Sequence, residues 1–61
     1  MSKLLDIQEQ LVKVNTDLMI LEISKDRLYD SELQNILGMS IKILSKQISE
    51  ITNLIVNRTG E

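Results

Sequence analysis

Aliphatic residues recur along the first half of the chain in alternating steps of three and four. The series runs through Leu4, Ile7, Leu11, Val14, Leu18 and Leu21, and is continued by Lys25 and Leu28. Alternating steps of three and four are the a/d repeat of helices that pack along a seam. A chain with this repeat is constrained to form a long helix whose apolar stripe needs another helix to cover it.

A second series of the same kind occupies the other half of the chain. It runs through Leu37, Ile41, Leu44, Ile48, Ile51 and Ile55. The two series are out of phase, because extending the first would place polar residues such as Glu32, Asn35 and Lys42 in the seam. The sequence therefore predicts two helices with a break near residues 28–31.

Local signals agree with this break. Asp30 and Ser31 are both favourable N-cap residues, and Ser31 with Gln34 fits the capping-box pattern. Gly60 is a plausible helix terminator. We therefore expect one domain over residues 1–61, with helix 1 at about 2–28, a turn at about 29–31 and helix 2 at about 31–58.

The two series also match each other across the predicted turn. In a hairpin folded at residues 29–30, Leu11 faces Ile48 and Leu18 faces Ile41, whereas Lys25 falls opposite Gln34. We interpret Lys25 as a residue that packs its stem and exposes its ammonium, or that specifies register. The predicted fold class is all-α: an antiparallel two-helix hairpin of the coiled-coil type.

A hairpin of this size has only one thin seam, and ordering the chain costs about 1.5 kcal/mol per residue. A second apolar set offers further burial. Its residues lie off the seam and are predicted to contact another copy or a protein partner: Leu5, Val12, Met19, Ile20, Ile23, Ile36, Met39 and Ile43. We expect a homodimeric four-helix bundle. A different helical partner is the alternative, and the less favoured interpretation is that these residues are ordinary scattered surface aliphatics.

Composition excludes several kinds of chemistry. The chain has neither His nor Cys, which removes triad and zinc chemistry, and we expect no catalytic, cofactor or metal site. The net charge of −2 gives no broad attraction to nucleic acid, and the apolar run Leu18–Leu21 is far too short for a membrane span. We expect a non-enzymatic cytoplasmic regulator, adaptor or assembly factor that acts through protein–protein interaction.

Two alternatives come from resemblance. The size, the hairpin form and the segment Leu28-Tyr29-Asp30-Ser31-Glu32-Leu33 resemble the small sporulation-type aspartyl-phosphate phosphatases, which implies action on a response regulator. That family carries a Ser-Gln-Glu-Leu-Asp motif, whereas this chain has Lys42 or Ser49 at the Asp position, so no catalytic residue is carried over. The third alternative is an RNA-binding four-helix-bundle regulator, although nine acidic residues interleave with the basic ones.

Overall fold

Two long helices joined by a short turn make up the computed structural model, which describes residues 3–59. Helix α1 spans Lys3–Lys25 and helix α2 spans Ser31–Thr59. They pack against each other along their length as an antiparallel hairpin with Cα extents of 47 × 17 × 11 Å. The predicted all-α hairpin is confirmed. The predicted helix start at residue 2 and the predicted terminator Gly60 lie outside the described residues.

The turn between the helices begins earlier than the sequence predicts. After α1 ends at Lys25, the amides of Asp26, Arg27 and Leu28 each donate to the carbonyl three residues before, at 3.1–3.3 Å. Such bonds are those of a tightened 3₁₀-type turn, which often closes an α-helix. The predicted end near residue 28 is therefore where this tightened turn stops, and the regular helix ends three residues sooner.

Asp30 caps the start of α2. Its Oδ1 accepts hydrogen bonds from the amides of Glu32 and Leu33 at 3.0 and 3.2 Å, which satisfies two of the N–H groups that a helix N-terminus leaves free. Gln34 does not complete the predicted capping box with Ser31; its Nε2 donates to the Leu28 carbonyl at 3.3 Å. The side chain of Gln34 thereby ties the first turn of α2 to the end of the connection.

The core is a single row of residues on each helix, seven residues apart. Leu18, Ile41 and Ile55 are buried, and Leu11 and Ile48 are half-buried in the same row. Six other residues of the predicted seams are exposed, with exposed fractions between 39% and 47%: Ile7, Val14, Leu21, Leu28, Leu44 and Ile51. One of the two rows in each predicted seam therefore forms the core, and the other row is largely exposed.

Small residues of α2 lie on the other side of its core row. Gly38, Ser45 and Thr52 follow one another at seven-residue intervals and are all half-buried beside the core row. Where a Cβ would stand on Gly38, it would meet Lys25 Cε at 3.3 Å. Gly38 therefore lets the Lys25 side chain lie against α2 near the turn, whereas Asn15 and Glu22 on the α1 side of the same edge are exposed.

Candidate functional site

A continuous apolar face runs along one broad side of the hairpin. We define the apolar face by seven aliphatic residues that follow the core row by three positions: Ile7, Val14 and Leu21 of α1, Leu28 of the turn, and Leu37, Leu44 and Ile51 of α2. Because three residues correspond to about −60° around a helix, both rows turn to the same side of an antiparallel pair. None of these seven residues is charged, and the next position of the α2 row is Arg58, at the open end of the hairpin.

The opposite broad side has a different chemistry at the equivalent positions. The residues four after the core row are polar or small, and we call this side the polar face: Gln8, Asn15 and Glu22 of α1, with Gly38, Ser45 and Thr52 of α2. Thr52 donates from its hydroxyl to the Ile48 carbonyl of its own helix at 2.6 Å. The polar face therefore needs no partner to satisfy this hydroxyl group.

The border of the apolar face is also poor in charge. By helical spacing, Leu33 and Leu54 flank it along α2, and these two side chains are 51% and 53% exposed. Along α1 the flanking positions include Lys3 and Asp17, which have opposite signs. Leu33 and Leu54 thus widen the apolar surface near the two ends of the hairpin.

The eight residues predicted as an interface are all exposed, by 50–66%, but the structure does not bring them into one patch. Leu5, Val12 and Met19 are aligned at the α1 edge of the polar face. Ile20 and Ile23 stand two and five residues after the core residue Leu18, which places them on the outer side of α1.

The other members of the predicted interface belong to α2. Ile36 and Met39 stand five and two residues before the buried Ile41, and Ile43 stands two residues after it. This spacing places all three on the outer side of α2, directed away from α1. The predicted set is therefore divided into three groups on three sides of the molecule.

A shallow groove near the turn contains the one seam lysine. Lys25 lies across Gly38, its side chain is 19% exposed, and its Nζ donates to Asp26 Oδ1 at 2.9 Å. Glu22, Gln34 and other polar residues line the same groove. The half-buried side chain agrees with the predicted packing of the Lys25 stem, and its ammonium is paired with Asp26.

The apolar face could not be assigned from hydrophobic spacing alone. Ile7, Val14, Leu21, Leu44 and Ile51 satisfy the a/d repeat and were therefore predicted to lie inside the hairpin. The signal that indicates otherwise is the heptad row of Gly38, Ser45 and Thr52, since small residues in register favour close helix contact.

Other kinds of site find little support in the described residues. Among residues 3–59, no three Asp or Glu carboxylates are grouped closely enough to hold a metal ion. Within the same range, neither helix has a stretch with the length and hydropathy that crossing a membrane requires.

The fold and its exposed surfaces define the class: an all-α helical hairpin with one apolar and one polar broad side. Comparison with protein-family models, curated proteins and solved structures found no match for this chain.

Proposed function

We propose that this chain is a non-enzymatic interaction module that self-associates into a homodimeric four-helix bundle and acts by binding a protein partner. In this role it serves as a small regulator, adaptor or assembly factor in the cytoplasm. The polar side and the outer helix surfaces are the parts of the dimer available to that partner.

The observation that carries the proposal is the imbalance between buried and exposed apolar side chains. Among the described residues, three hydrophobic side chains are buried and eighteen large ones are exposed. Isolated surface aliphatics are normal, but a regular aliphatic row shared by two neighbouring helices is typical of an unfilled helix–helix contact.

The accessible surface supports the same conclusion. A folded monomer of 7.0 kDa is expected to expose about 4,000 Å², whereas the hairpin exposes 5197 Å². The excess of roughly 1,200 Å² is surface that a compact protein of this mass covers. A second hairpin can cover it without requiring any further segment of the chain.

The test of self-association is the solution mass, measured by light scattering over a wide range of concentrations. We expect a mass twice the 7.0 kDa of the chain, with dissociation only on dilution. A folded species of single-chain mass at every concentration would contradict the proposed homodimer.

A further inference from the structure

We propose that the second copy docks on the apolar face, and that the predicted interface residues Leu5, Val12 and Met19 lie outside the dimer contact. This inference rests on the proposed self-association and assigns it to one side of the hairpin. It starts from the difference between the two broad sides, since both flank the same core row at similar angles.

Most side chains of the apolar face are exposed to a similar degree. Val14 and Leu44 lie near the middle of their helices and are 43% and 45% exposed; Ile7 and Ile51, at the open end, are 47% and 45% exposed. Leu21 and Leu28 are 41% and 39% exposed, and the exception is Leu37, which is half-buried near the turn. The hairpin therefore leaves a similar fraction of the other six side chains uncovered. A flat second layer of helices covers such a row evenly.

The apolar face also differs from the outer surfaces of the helices in its charge. Lys and Asp or Glu residues are abundant on the outer surfaces of both helices, whereas the seven residues of the apolar face are uncharged and the row that they form in α2 ends in Arg58 at the open end of the hairpin. The core of a protein–protein contact is depleted of charge in the same way. Two copies related by a two-fold axis can therefore oppose these seven side chains to one another without bringing like charges together.

The broad side of the hairpin is large enough for a specific contact between two copies. The broad side of the hairpin has a Cα outline of 47 Å by 17 Å, which corresponds to about 800 Å². Two such outlines in full overlap correspond to at most about 800 Å² on each copy, which reaches the usual area per partner of a specific protein–protein interface. The polar side has the same outline, but Gln8, Asn15 and Glu22 stand where a dry contact needs apolar side chains.

The chain provides a closely matched pair of substitutions, because Val12 and Val14 are identical residues two positions apart. Val14 belongs to the apolar face, whereas Val12 belongs to the opposite edge and is 60% exposed. We expect Val14→Glu to lower the fraction of dimer by at least tenfold in light scattering. Val12→Glu should leave the dimer mass and its dilution midpoint unchanged.

Cross-linking keeps the test informative if Val14→Glu fails to fold. The chain has no Cys, so Val14→Cys and Val12→Cys each introduce a unique thiol with little change in volume. A flexible bis-maleimide should link Val14→Cys chains into covalent dimers at concentrations where Val12→Cys chains remain mostly unlinked.

The outcomes separate the two proposals. Loss of dimer in Val12→Glu, with Val14→Glu unaffected, would overturn the assignment to the apolar face and leave self-association standing. Preferential cross-linking of Val12→Cys would do the same. A wild-type chain that is monomeric at all concentrations would overturn both proposals together.

Discussion

At the scale of single residues, Asp30 and Gly38 set the geometry at the turn end of the hairpin. Asp30 accepts two amide hydrogen bonds at the start of α2, and Gly38 lets the Lys25 side chain cross the helix surface. Both residues act through the backbone of α2 rather than by filling the core. Each therefore gives a substitution whose effect has a definite sign.

Asp30→Ala should destabilise the protein by about 1 kcal/mol, because it removes the acceptor that caps α2. Asp30→Asn is the matched control, since Asn is an equally good N-cap. The free energy of unfolding from urea titrations measures both. Equal stability of the Ala and Asn variants would show that the cap contributes nothing.

Gly38→Ala should stabilise α2 by up to about 1 kcal/mol, because Ala has the higher helix propensity. The new methyl group meets the end of the Lys25 side chain at 3.3 Å, and this flexible chain can shift by a few tenths of an ångström. Gly38→Val should destabilise, since its branched side chain also reaches the Lys25 stem. Thermal melts of the three proteins test the order Ala, Gly, Val; a Gly38→Ala variant less stable than wild type would contradict the account.

At the scale of the helices, the buried row and the exposed rows should differ sharply in their energetic contributions. Leu18 is 8% exposed, whereas Ile23 on the outer side of α1 is 62% exposed. We expect Leu18→Ala to cost about 2 kcal/mol or more and Ile23→Ala less than about 0.5 kcal/mol. Unfolding free energies that are equal for the two variants would contradict the burial of Leu18 and the exposure of Ile23.

The heptad pattern determines how much of this arrangement could be predicted from the sequence. The phase shift between the two series predicted two helices and a turn, and the residues Leu18, Ile41 and Ile55 were correctly placed in the core. The rotation of each helix about its axis could not be predicted, because a core row can pack with the row three residues after it or with the row four residues after it. Hydrophobicity favours the first choice, and the small residues Gly38 and Ser45 favour the second.

The same rotation limits what could be predicted of the site. Whether Val12 or Val14 is covered by a partner depends on which side of α1 the core row leaves open. The seven-residue spacing of Leu5, Val12 and Met19 correctly indicated a shared edge. It could not indicate that Ile20 and Ile36 lie on the outer surfaces of different helices, because that depends on how both helices are turned.

At the scale of the whole molecule, folding and self-association should be coupled. A hairpin with three buried side chains among its described residues has too small a core to be strongly stable by itself. Anything that binds the folded state alone raises its apparent stability by mass action. The second copy is then part of the fold as well as a partner.

The melting temperature should therefore rise with protein concentration. For a dimer of this size we expect about 5 °C for each tenfold increase, from the entropy of unfolding per residue. Circular dichroism at several concentrations measures the shift, and Val14→Glu should reduce or abolish it. A melting temperature independent of concentration would indicate a hairpin that folds alone.

The most direct measurement is isotope-filtered NMR on wild-type protein, in an equal mixture of methyl-labelled and unlabelled chains. We expect intermolecular contacts at the methyl groups of the apolar face, with Val14 and Leu44 at its centre, and none at Val12 or Ile43. Intermolecular contacts confined to Val12 and its neighbours, or a complete absence of such contacts, would contradict a dimer formed across the apolar face.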